Sequence, residues 1–345
     1  MKTVSEISKA GSLKMRFALL VLAALIIGGV ALWVLRMSVS PVIQVSPVTI
    51  AVPTQINSTL PIVATSQGLF QQAGVDVINQ PFELGKDALK SVIDGKADLA
   101  VVADTPLIFA LHDGNKLDII ASISQGRRSL AVVTRNDRGI KTLKDLSGKS
   151  VGLSMGTNLT YFLDMMLQTQ GVPSSEVNFV DLKTSDVLFA FKTGRIDAAV
   201  VYQPFLSQLE TELGSRIKVF YGDDVYAFRF LLVGKPLYID RHPEEIKRVL
   251  KALMAAEQLV RDHPVKARKA VGNAVNIDDA LMAKLFNTED YALSLDQAML
   301  LALDDQTRWA MRRGIIGPGP IPNYLENVKY QYLEAILPTA VKIIH

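Results

Sequence analysis

The chain has 345 residues, 49% of them hydrophobic and 21% charged, a composition that excludes a disordered or fibrous protein and suits one large or two medium cores. It contains no cysteine, so disulfides, thiolate metal sites, a cysteine nucleophile and a lipid-anchored N-terminal cysteine are all excluded. The net charge of +3 sits at the front: the first thirty-six residues hold five Lys/Arg and one Glu, which leaves 32 basic and 33 acidic residues and no electrostatic case for a nucleic-acid partner.

Phe17 to Leu35 runs for nineteen residues without a charge, which at a rise of about 1.5 Å per residue just spans a bilayer's hydrocarbon core. Lys2, Lys9, Lys14 and Arg16 precede the run and only Arg36 follows closely. The positive-inside rule therefore puts residues 1–16 in the cytoplasm and the body outside. The best cleavage candidate, Ser38-Val39-Ser40, is followed by Pro41, a poor residue after a scissile bond. Residues 17–35 are thus expected to remain as a single-pass anchor in the cytoplasmic membrane, with a cleaved signal peptide as the alternative. Residues 36–47, serine- and proline-containing, read as a spacer.

The folded body is expected to begin at Val48. Val48 to Val52 is a short apolar strand, Leu60 to Gln72 has helical spacing that stops at Ala73-Gly74, and strand Val75 to Ile78, helix Asp87 to Ile93 and strand Asp98 to Val102 follow. The same order returns as strand Val151 to Ser154, helix Asn158 to Gln170, strand Val177 to Asp181, helix Ser185 to Lys192 and strand Asp197 to Val201. The two copies share a phrase, DGKADLAVV at 94–102 and TGRIDAAVV at 193–201, ninety-nine positions apart. In each, a helix ends on Gly95 or Gly194, where the missing Cβ permits positive φ, and the chain enters an apolar strand. Such alternation predicts an α/β protein with two doubly wound parallel sheets. Ser129 to Thr134 and Phe228 to Val233 bracket the second copy and read as crossovers forming a two-strand hinge. The rest is helical: Pro243 to Arg261, Pro264 to Val271, Ile277 to Phe286 and Leu295 to Arg312. The economical division gives lobe 1 residues 48–132 plus 230–345, and lobe 2 residues 135–228.

Gly152-Leu153-Ser154-Met155-Gly156 fits the nucleophile-elbow pattern between a strand and a helix. The downstream histidines are His242, His263 and His345, and the first two flank a charged helix, each just before a proline. No catalytic residue is therefore expected. Gly148-Lys149-Ser150 lacks the earlier glycine of a phosphate loop and precedes a strand where such a loop follows one. No ligand spacing for a metal is present, and no cofactor is expected.

Gly156-Thr157-Asn158 opens a helix directly after a strand, where free N–H groups and the helix dipole make an anion site; ordinary N-capping would use the same residues. Gln55, Ser58 and Thr59 follow the first strand, Asp104 and Thr105 the third, and Tyr202 and Gln203 the last. Open α/β sheets bind ligands at strand carboxyl ends, so these are candidate ligand-binding residues. Arg127, Arg128 and Arg229 could supply a counter-charge, although a crossover arginine is commonly solvated or salt-bridged.

LPIVATSQGLFQQAGVDV, followed by GKDALKSVIDGKADLAVVADTPLIFA, resembles the first lobe of solute-binding proteins serving nitrate, sulfonate, taurine and thiamine-precursor ABC importers. LKDLSGKSVGLSMGTNLTYFLDMMLQTQGVPSSEVNFVDL and GRIDAAVVYQPFL resemble their second lobe. The likeness is detailed from about Pro53 to Leu206. It implies a two-lobed periplasmic-binding-protein fold that closes on a small polar or anionic organic ligand and catalyses nothing. It also implies a helix start at Gly156, Thr157 and Asn158 that cradles the ligand's anionic group, and partnership, as a monomer, with an ABC permease and ATPase on the periplasmic side. A retained transmembrane helix departs from the free or lipid-anchored members. A membrane-held sensor or accessory subunit is one alternative, and an enzyme of the thiamine-pyrimidine synthase type on the same fold is another. The anchor reading has its own check: intact-mass analysis should find Phe17 to Leu35 in the mature protein, and a chain starting near residue 41 would refute it.

Overall fold

The computed structural model describes residues 28–29, 47–126, 128–222 and 225–344. The chain separates into two units, 1–46 and 47–345. In the first, Gly28 and Gly29 are helical and exposed. The rest of the expected anchor and all of the spacer except Pro47 lie outside the described residues, as do Arg127 and His345. Among the described residues no helix is long and apolar enough to cross a membrane.

The second unit is built on two large sheets, and Leu295–Asp296 pairs with Val341–Lys342 in a separate two-stranded one. In the first, β1 (Val48–Pro53), β2 (Val77–Phe82) and β3 (Leu99–Ala103) run parallel in the order β2-β1-β3, connected through α1 (Thr59–Ser66), α2 (Leu69–Gln72) and α3 (Gly85–Ile93). The chain continues through α4 (Asp104–His112) into β4 (Asp118–Gly126) and crosses to β5 (Leu130–Arg135) in the second sheet. There β6 (Ser150–Leu153), β7 (Asn178–Asp181) and β8 (Ala198–Tyr202) repeat the order as β7-β6-β8, with α5 (Asn158–Thr169) and α6 (Thr184–Lys192) between them. After α7 (Phe205–Leu213) and β9 (Ile217–Tyr221) the chain returns as β10 (Arg229–Gly234). With β11 (Glu289–Asp290), the complete orders are β11-β4-β10-β3-β1-β2 and β7-β6-β8-β5-β9.

Several elements depart from the sequence reading. The sheets are mixed, because β10 runs antiparallel to β3 and β4, and β5 antiparallel to β8 and β9. The stretches expected as crossovers are themselves strands, and the chain passes between the sheets in the short segments after Gly126 and after Tyr221. Leu130 to Val132, assigned above to lobe 1, pairs within the second sheet. The helix expected over Leu60 to Gln72 is interrupted by Gly68 at φ 64°, a left-handed conformation that ends one helix and starts the next. β2 begins later than expected and runs to Phe82.

The repeated phrase has a local physical cause. Asp98 Oδ2 accepts the N–H of Thr49 at 2.8 Å while its own N–H donates to Thr49 O at 2.9 Å. Asp197 does the same with Ser150, at 2.9 Å in both directions. Each aspartate clips the start of one parallel strand to the next. At Asp197 burial pushes the carboxyl upward, but the bonds from Ser150 and the nearby Arg138 prevail and hold it below the usual carboxylate range.

The core explains why the strands lack polar alternation. Leu130 and Val132 of β5 face the large apolar core that also covers the first sheet, while Ala131 and Val133 face a smaller core under α6 and α7. Both faces of the second sheet are therefore dry, and apolar runs replace period-two patterns. α9 (Pro243–Asp262) and α10 (Pro264–Val275), which follow the short α8 (Pro236–Arg241), pack on α1. After α11 (Asp279–Leu285), α12 (Gln297–Arg312) packs on α4.

The two crossing segments touch: Gly126 N–H donates to Phe228 O at 2.9 Å. A Cβ on Gly126 would overlap the buried Phe228 ring and approach Ser129 Oγ to 2.7 Å. Gly126→Ala should therefore lower stability by about 1–3 kcal/mol, the usual cost of overpacking, as read by urea denaturation. A variant as stable as the parent would show that the crossing tolerates a side chain.

Candidate functional site

The carboxyl ends of the parallel strands from both sheets converge on one cavity of about 40 Å³. Gln55 and Asn57 come from the end of β1, Leu84, Gly85 and Lys86 from the end of β2, and Ala103 and Pro106 from the end of β3. The second sheet contributes Ser154, Thr157, Asn158 and Leu159 after β6, and Tyr202 at the end of β8. Phe228, Phe230 and Leu130 close the side nearest the crossings.

The chemistry of this wall favours a negative group. α3 begins at Gly85 with Leu84 as a cap that makes no side-chain hydrogen bond, and this uncapped start, Leu84 to Lys86, lines the site. Gly85 is there for close packing, since a Cβ would come within 3.2 Å of Val102 Cα. α5 begins at Asn158, and Thr157 caps it: its Oγ1 accepts Leu159 N–H at 3.3 Å and donates to Ser154 O at 2.7 Å. Both helix dipoles present their positive ends, and the Lys86 ammonium adds a full charge. Lys86 Nζ also donates to Met155 O at 3.1 Å, and Gln55 Nε2 approaches Tyr202 Oη at 3.4 Å. These two bonds join residues of the first sheet to residues of the second across the cavity.

Among the residues expected from the sequence, the lining takes in Gln55, Thr157, Asn158 and Tyr202. The others lie elsewhere. Ser58 and Thr59 are fully buried at the start of α1, with Thr59 Oγ1 donating to Ile56 O. Asp104 accepts Thr105 N–H at 2.9 Å and the Tyr226 hydroxyl, and Thr105 Oγ1 donates to Gln306 Oε1. Burial pushes the Asp104 carboxyl upward against these bonds, and burial beside Asp104 pushes the Tyr226 phenol well above its ordinary value. Gly156 is exposed, and a Cβ there would meet nothing within 4 Å; its φ of 71° accounts for the glycine. Gln203 Oε1 accepts Ser207 N–H, and Arg229 is buried in an ion pair with Asp296 at 3.1 Å. Arg128 lies over the Tyr221 ring. Ser154 does line the cavity, yet none of the described histidines, His112, His242 and His263, shares that wall.

Asn57, Gly85, Lys86, Phe228 and Phe230 were missed. The signal for Lys86 was present, because the ninety-nine-residue offset aligns it with Ser185, also just after a strand end. Placing β2 too early in the sequence hid it.

Beyond Asn57 lies a buried carboxyl. Glu289 is 6% exposed, both its oxygens lie without a hydrogen-bond partner, and so do Asn57 Nδ2 and Ser129 Oγ. Desolvation pushes its pKa to about 8, against weaker opposing influences from Ser129 and Asn57, with Asp290 adding to the rise. The folded value is raised, so the protonated form is the stable one. Stability from this group is present below the unfolded carboxyl value and is lost as pH rises towards about 8. Glu289→Gln should flatten the fall in denaturation midpoint between pH 5 and pH 8. An unchanged slope would place the titration elsewhere.

Comparison with known proteins gives a family. The family described as "NMT1/THI5 like" matches residues 55–267. The taurine-binding periplasmic protein of Escherichia coli K12 is 23% identical over 219 residues, covering 62% of this chain and 67% of that protein. Among solved structures, the alkanesulfonate-binding protein SsuA of Xanthomonas axonopodis pv. citri, bound to MOPS, superposes with a TM-score of 0.73 at 16% identity, covering 82% of this chain and 98% of that one. The periplasmic aliphatic sulphonate binding protein SsuA of Escherichia coli gives a TM-score of 0.72 at 18% identity, covering 82% and 92%. These likenesses show the α/β fold of periplasmic binding proteins.

Proposed function

The chain belongs to the NMT1/THI5-like family, and on that premise we propose that it is an extracytoplasmic solute-binding protein. It captures a small organic anion, a sulfonate in the first instance, between its two sheets and presents it to an ABC permease and ATPase. The apolar run 17–35 holds it to the cytoplasmic membrane. The observation that carries the reading is the pairing of two helix N-termini with Lys86 around one cavity at the strand carboxyl ends. Relatives whose names specify taurine or sulfonates support the ligand class.

The mechanism follows from where the donors sit. Helix α3 and Lys86 belong to the first sheet, and α5 with Thr157 and Asn158 to the second. An anion touching both sets gains contacts only when the sheets are drawn together, so it stabilises the closed form by that difference. The hydrogen bonds from Lys86 to Met155 O and from Gln55 to Tyr202 span the same two sets and would be part of that closure. The expected site residues Gln55, Thr157, Asn158 and Tyr202 act here by contact, and Asp104, Thr105 and Arg229 by holding the walls.

Thermal unfolding of the full chain with ethanesulfonate, taurine and nitrate tests this. A bound anion at a hundred times its Kd should add about 2.7 kcal/mol of stability. Lys86→Ala should weaken that binding roughly ten- to a hundred-fold, the loss of one charged hydrogen bond. No shift with any of the three anions would overturn the reading.

A further inference from the structure

The cavity, at about 40 Å³, is the smallest of three connected spaces. Two larger openings adjoin it. One, of about 470 Å³, shares Leu84, Lys86 and Ser154 with it and is rimmed by the carboxylates of Glu83, Asp87, Asp181 and Asp186, with Lys183 beside them. The other, of about 340 Å³, shares Gln55 and Tyr202 and is walled mainly by Ile56, Phe82, Phe205, Val275 and Ile277.

The second opening is built as an apolar vestibule. Tyr202 meets Phe205 edge to face at 5.3 Å, and Phe82, Phe205, Val275 and Ile277 are each only partly buried. Asn276 takes a left-handed φ of 57°, which turns the end of α10 so that both its neighbours line the space. Glu83 is the single charged residue of that wall and is exposed at its rim. Between cavity and vestibule stands the 3.4 Å approach of Gln55 to Tyr202, a long bond that costs little to part.

We propose that this vestibule receives the tail of the ligand whose head occupies the cavity. The chain then selects anions bearing an apolar tail of several carbons over short or ammonium-tailed ones, and Phe82 and Phe205 set that selection. The inference rests on the reading of the cavity as an anion site. It adds the tail chemistry: apolar surface now facing water is covered by methylenes, each worth about fourfold in affinity when fully buried.

Calorimetric titration of the full chain with ethanesulfonate, hexanesulfonate and taurine tests it. The expected result is hexanesulfonate at least about tenfold tighter than ethanesulfonate, a ratio below the full-burial limit for four added methylenes. Taurine should bind no better than ethanesulfonate. Phe205→Ala should shrink the hexane-to-ethane ratio, and Phe82→Ala serves the same purpose if the first variant does not fold. Equal affinities for the two alkanesulfonates, a preference for taurine, or an unchanged ratio in a folded variant would overturn the tail subsite while leaving the anion site standing. Binding of none of the three would overturn the anion reading itself, and this inference with it.

Discussion

The structure depends on the place where the chain passes twice between its sheets. Gly126 and Phe228 meet there through a backbone hydrogen bond, and the Phe228 ring lies over the position where any other residue would carry a Cβ. Phe228 continues into Phe230, at 5.9 Å, and into Tyr226, at 6.1 Å, so one aromatic row runs along the return crossing. Phe228 and Phe230 are also cavity wall. The same residues thus join the two sheets and shape the site, and a change in the crossing is a change in the cavity.

That constraint explains the fate of Asp104 and Arg229. A buried carboxylate at a strand end resembles a ligand contact in sequence, because polar residues there are functional in open α/β sheets. Here the Asp104 carboxylate receives the Tyr226 hydroxyl and the Arg229 N–H, and so ties α4 of the first sheet to the return crossing. Arg229 turns its guanidinium to Asp296, the residue that also caps α12 by accepting Met299 N–H at 2.8 Å. These polar groups hold the walls on which others act.

How much was legible in the sequence follows from the range of each interaction. The α5 start at Gly156-Thr157-Asn158 was readable because a cap and a strand end are local, and Tyr202 was readable because the duplicated phrase fixes its strand. β2 was misplaced because it is an edge strand carrying Asn79, Gln80 and Pro81, half-exposed and without an apolar run, so Val75 to Ile78 looked the better strand. Lys86 was lost with it. β4, by contrast, is buried on both faces and shows no alternation to separate it from its surroundings. The Arg229–Asp296 pair joins residues brought together only by the tertiary fold, and no local pattern announces it.

The duplication gives the two halves the same frame and different chemistry. Asp98 and Asp197 clip equivalent strands alike, yet the helix after the second strand opens with Gly85-Lys86 in the first half and with Thr184-Ser185 in the second. The strong cation therefore comes from one side and the threonine-capped helix from the other. On the far side of α5 the sheets are held more firmly: Asp164 accepts Trp309 Nε1 at 2.8 Å and Arg313 Nε at 2.6 Å, and Tyr161 packs edge-on against Trp309 at 5.0 Å. Buried charged bonds of this kind are worth about 1.5–3 kcal/mol, against about 1 kcal/mol or less for a long neutral bond such as Gln55 to Tyr202. On the proposed function, the α5–α12 contact is a fixed joint between the sheets, while at the cavity the exposed Lys86–Met155 bond and the long Gln55–Tyr202 bond are the ones a ligand would exchange for its own contacts.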